Sequence, residues 1–62
     1  MIYLIKKTFV NEKNEEVIYY KFYYKLDDDF IEVKVNDYFA KKMLIKHAIK
    51  NNLVFERFSD IN

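Results

Sequence analysis

The stretch VIYYKFYYKL, residues 17–26, decides the fold. Its even positions are Ile18, Tyr20, Phe22, Tyr24 and Leu26, and its odd positions are Val17, Tyr19, Lys21, Tyr23 and Lys25. Side chains two apart in a strand share a face, so the even set makes an unbroken apolar row while the odd set mixes tyrosine with lysine. This predicts a strand whose even face is dry and whose odd face is wetter, with Phe22 in the core.

Working outward, IYLIKKTFV at residues 2–10 is rich in β-branched and aromatic side chains and reads as a strand, although its alternation is imperfect. The polar NEKNEE, residues 11–16, joins the two as a hairpin, with Asn11 or Asn14 best suited to a left-handed backbone in a chain that has no glycine. Asp27, Asp28 and Asp29 make the next turn. FIEVKVN, residues 30–36, alternates again, with Ile31, Val33 and Val35 on one side and Phe30, Glu32, Lys34 and Asn36 on the other.

Beyond Asn36 the pattern becomes helical. Asn36 or Asp37 serves as N-cap, DYFAKKMLIKHAIKNN contains no helix breaker, and Asn51 and Asn52 suit a left-handed terminus. At 100° per residue, Ala40, Met43, Leu44, His47 and Ala48 fall on one side, and Tyr38, Ile45 and Ile49 extend the apolar arc. LVFERF, residues 53–58, reads either as a short fourth strand or as an extended arm. As a strand it runs parallel to the first and third and lies beside the first, with the helix as crossover. The expected fold is a single α+β domain over residues 1–62: an antiparallel three-stranded meander packed on one helix, with an optional C-terminal strand. Phe22 and Val33 are expected to be buried against Leu44.

Composition narrows the chemistry. Without glycine, phosphate-cradling loops, dinucleotide fingerprints, EF-hand loops and serine nucleophile elbows are excluded. Without cysteine there is neither a disulfide framework nor a thiolate metal site, which makes the cytoplasm the expected compartment. The lysines near the start follow the short apolar run instead of preceding it, the wrong order for a signal peptide, and no run is long enough to span a bilayer. One serine, Ser59, and one histidine, His47, give no nucleophilic triad. The expectation is a protein that is not an enzyme, has no cofactor, and does not act at a membrane. Asp27 to Asp29 with Glu32 supply too few oxygen ligands for a hard cation, and turn formation already explains the aspartates. His47 is expected to be partly buried and bonded to backbone.

What remains is surface chemistry. A chain of 62 residues buries only about 60% of the surface of its unfolded form. Its hydrophobic content of 52% exceeds the usual level of about 45–50%, so part of its apolar area is left for an interface. Lys42, Lys46 and Lys50 recur every four residues on the helix, and residues 38–50 contain no acid. Such pairs repel by about 0.2–0.5 kcal/mol each, a cost that a partner's acidic groups would offset. Tyr38 and Phe39 stand beside the row as apolar anchors.

Two functional readings result. In the first, a small binding protein contacts a larger protein or protein–nucleic-acid complex through Tyr38, Phe39, Lys42, Lys46 and Lys50. AT-rich coding bias and brevity suit a phage or mobile-element accessory protein, for example an anti-defence inhibitor of the anti-CRISPR kind. In the second, Tyr19, Lys21, Tyr23, Lys25 and Lys34, with Lys6 and Thr8 as additions, form a stacking and phosphate-binding platform for nucleic acid. A pI near 7.9 speaks against the second, since nucleic-acid-binding domains commonly exceed about 9. A homodimer is one way to cover the exposed apolar arc of the helix. The apolar arc of the helix has an alternative cover in Leu53, Phe55 and Phe58 of the final segment.

Overall fold

A computed structural model describes residues 1–61. The chain forms β1 (Ile2–Val10), β2 (Glu16–Leu26), β3 (Asp29–Val33), α1 (Tyr38–Lys50), β4 (Val54–Phe55) and a closing 3-10 turn at Phe58–Asp60. The strands make one sheet in the order β3-β2-β1-β4. The first three are the expected antiparallel meander, and β4 lies parallel to β1, with Leu4 opposite Val54. α1 is thus the crossover from one edge of the sheet to the other.

The turns use the residues that tolerate a left-handed backbone. Asn14 has φ 61°, Asp27 φ 55° and Asn52 φ 57°, the conformation that costs asparagine and aspartate least among non-glycine residues. Asn11 organises the first turn by its side chain: Oδ1 accepts from the N–H groups of Lys13 (3.0 Å) and Glu15 (2.9 Å). Asp37 caps α1, its carboxylate accepting from the N–H of Phe39 at 2.9 Å and of Ala40 at 3.3 Å. At the other end Asn51 donates from both backbone and side chain to the carbonyl of His47.

The core lies where the register brings Leu4, Phe22 and Val33 into one row. Leu4, Phe22 and Ala48 are buried, with Val33, Val35, Leu44, Ile45, Leu53 and Val54 among the side chains packed on them. Phe22 is buried as expected, while Val33 and Leu44 pack on the same cluster but are only partly buried. The imperfect alternation of β1 also has a physical cause. Leu4 and Ile5 are adjacent, point to opposite faces, and are 0% and 1% exposed, so both faces of the sheet are closed at that point.

Several expectations need correction. The even row of β2 is dry only in its middle: Phe22 is buried and Tyr20 partly so, but Ile18, Tyr24 and Leu26 are exposed, because one 13-residue helix is shorter than this long ribbon. Lys6 and Thr8 pair with Tyr20 and Ile18 on the helix side, so they are not on the odd face. α1 is rotated from the expected arc. It buries Ala48 with Leu44 and Ile45, leaving Met43 72% exposed and His47 also exposed. In this rotation Ala48 faces the sheet, buried in one cluster with Leu4 and Phe22.

Candidate functional site

The odd face of the sheet is covered by the end of the chain. Phe55 enters beside Ile5, and Phe58 on the 3-10 turn meets Tyr23 edge-on at 4.7 Å and stacks on Phe30 at 4.8 Å. Tyr3 contacts both Phe30 (6.4 Å) and Phe55 (6.1 Å). These rings, in the edge-to-face and offset geometries that aromatic pairs prefer, form a second small core over Ile5.

Of the nucleic-acid candidates, Tyr23 is therefore engaged by Phe58, and Lys25 lies over the Phe30 ring at 5.9 Å. Tyr19 sits farther along the ribbon against Phe9, with ring centroids 5.8 Å apart. Lys21 and Lys34 converge on one carboxylate, that of Glu32, at 3.8 Å and 3.0 Å. The hydrogen bond and charge of Lys34 hold Glu32 below the ordinary glutamate range, partial desolvation opposes this, and Lys21 adds a smaller push downward. The five residues share a side of the sheet, but two tyrosines standing free beside unpaired lysines are not what they form.

The helix candidates are arranged differently. Tyr38 and Phe39 are 65% and 75% exposed, and Ile49 joins Met43 as a further exposed apolar side chain. Leu53 packs into the helix-side core and Phe55 and Phe58 go to the far face, so the final segment does not cover this arc. Lys42 leans over the Tyr38 ring at 5.2 Å, an i, i+4 cation–π contact that offsets part of the repulsion along the lysine row. Met43, Ile45 and Ile49 with the stems of Lys42 and Lys46 line a shallow groove of about 380 Å³. The result is a row of lysines along the outward face of one helix, bordered by Phe39 and Met43 on one side and by Tyr38, Ile45 and Ile49 on the other, with no acid between residues 38 and 50.

Met43 is the surface residue that sequence reasoning assigned to the core. Its signal was present: Lys50 is seven positions on and Lys46 three, so on a helical wheel Met43 stands among lysines. Among the described residues no three of His, Asp and Glu are gathered closely enough to hold a metal ion, and no helix is long and apolar enough to cross a membrane. No family model, curated protein or solved structure matches this chain.

Proposed function

We propose that this protein is a non-enzymatic binding module that docks the outward face of α1 on an acidic, partly apolar surface of a larger macromolecule and acts by occupying that surface. One observation carries the reading: Tyr38, Phe39, Met43 and Ile49 are exposed on a single helix beside Lys42, Lys46 and Lys50, while the C-terminal aromatics able to cover them lie on the other side of the sheet. Exposed apolar side chains rimmed by like charges mark partner sites. The strip favours a protein surface over bare nucleic acid, because exposed apolar side chains border the lysine row on both sides. AT-rich coding bias suits an accessory protein of a phage or mobile element, acting as an inhibitor in an anti-defence role.

Photocrosslinking tests this in cells that naturally produce the protein. With p-benzoylphenylalanine in place of Phe39, one discrete heavier adduct is expected, and it should disappear when Lys42, Lys46 and Lys50 are all changed to Glu. The same probe in place of Tyr24, exposed at the far end of the sheet, should give none. An adduct that survives the triple charge reversal, or no adduct from position 39, overturns the reading.

A further inference from the structure

The β1–β2 ribbon is longer than the strands beside it. β2 pairs with β1 from Glu16 to Tyr24, but with β3 only from Phe22 to Leu26. Among the described residues no strand lies against the other side of residues 16–21. An open edge of this kind presents backbone donors and acceptors to any extended chain, and proteins commonly blunt it with proline, charge or a bulge. Here the run is Val17, Ile18, Tyr19, Tyr20, without charge or proline, and its register with β1 is unbroken. Ile18 and Tyr19 are exposed along it.

The two ends of this edge carry opposite charge. At the β3 end is a recess of about 240 Å³ whose lining includes Lys21, Lys34 and Lys41 against Glu32. At the hairpin end, residues 11–16 carry Glu12, Glu15 and Glu16 against Lys13. An antiparallel neighbour with the same sequence sets its acidic tip at the basic recess, and the second contact repeats the first by symmetry.

We propose that the edge is closed by a second copy of this chain, β2 against β2, in a two-fold dimer with a continuous β1-β2-β2-β1 sheet at its centre. Opposite residues in an antiparallel pair share a face, so paired positions must both be odd or both be even. Pairing must also stop short of Phe22, whose outer side is already taken by Val33. Registers centred on Ile18 and on Tyr19 both meet these conditions; the first is adopted because it puts Val17 opposite Tyr19 and, just before β2 begins, Glu15 opposite Lys21, joining opposite charges where the second sets Val17 against Lys21. Lys21 is available for this, being the looser of the two lysines on Glu32, at 3.8 Å against 3.0 Å for Lys34. The two-fold axis stands perpendicular to the sheet, so both α1 helices stay on one side with their outward faces open. The dimer is thus a separate surface from the docking strip and presents that strip twice.

Sedimentation equilibrium of the full chain tests the assembly, with a reversible monomer–dimer equilibrium expected up to millimolar concentration. Glu15→Lys alone and Lys21→Glu alone should each weaken the dimer on the order of tenfold, since each places like charges in both symmetric pairs. Mixing the two variants should restore it, because both contacts of the mixed dimer then join opposite charges. In a chain with no native cysteine, Ile18→Cys should form an intermolecular disulfide under mild oxidation and Tyr24→Cys should not. A monomer throughout the range, open-ended growth, or no recovery on mixing overturns the proposal. Lys42, Lys46 and Lys50 to Glu should leave the dimer intact, so failure of the docking reading and failure of the dimer are told apart.

Discussion

On its helix side the sheet is closed by a local element: thirteen consecutive residues, capped at both ends, bring Leu44, Ile45 and Ala48 onto Leu4 and Phe22. On its far side the cover is assembled from β3, β4 and the closing 3-10 turn, which deliver Phe30, Phe55 and Phe58 over Ile5, Tyr3 and Tyr23. Leu4 and Ile5, neighbours in sequence, are equally dry. What differs is how the covering chain is held. A helix secures each residue by its own ladder of hydrogen bonds, whereas the far cover depends on a two-residue strand, one short turn and ring contacts. Leu4 and Ile5 are thus equally buried, while the covers over them differ in resistance to local opening.

The largest expected effect tests the equality. Phe22→Ala on the helix side and Ile5→Ala on the far side should each cost several kcal/mol, about 3–5 and about 2–5 respectively, measured as a shift in urea midpoint at unchanged slope. If Ile5→Ala costs less than about 1 kcal/mol, the far side is not a second core.

A smaller effect sharpens the inequality. Phe58 is 41% exposed, so Phe58→Ala should cost only about 1–2 kcal/mol from lost ring contacts and apolar area. It should also speed hydrogen exchange of the Val54 and Phe55 amides while leaving those of Leu44 to Ala48 unchanged. Equal acceleration of both sets would mean that the two sides open as one unit.

The smallest effect concerns the salt bridge at the sheet edge. Because the folded state holds Glu32 below its ordinary value, its contribution is present above the unfolded glutamate value and is lost as pH falls through the lower folded value. A carboxyl-carbon NMR titration should show this low midpoint, and Lys34→Ala should raise it by more than Lys21→Ala does. A midpoint unmoved by Lys34→Ala would show that the carboxylate has another partner.

Met43 illustrates the limit of reading the helix from sequence. Periodicity fixed its extent and the apolar arc, but an arc that wide is compatible with more than one rotation about the axis. The structure adopts the one that packs Ala48 with Leu4 and Phe22 and leaves Met43 and His47 outward. Tyr23 shows the same limit on the sheet. Its parity placed it correctly on the odd face, yet nothing in the strand indicates that Phe58, thirty-five positions later, covers its ring.

By itself the sequence determined the local properties: the alternation of β2, turns at residues 11–16 and 27–29, a helix cap at Asn36 or Asp37, the lysine row, and the absence of residues for nucleotide loops or thiolate chemistry. These depend on a residue and its near neighbours, so short-range sterics and periodicity suffice to specify them. The tertiary structure decided which apolar groups stay in water. It sent the final aromatics to the far face, left the outward strip of α1 uncovered, and stopped β3 at Val33 so that one edge of β2 remains open. Those outcomes come from competition among distant segments for a limited area of sheet, which packing of the whole chain resolves and no local pattern encodes.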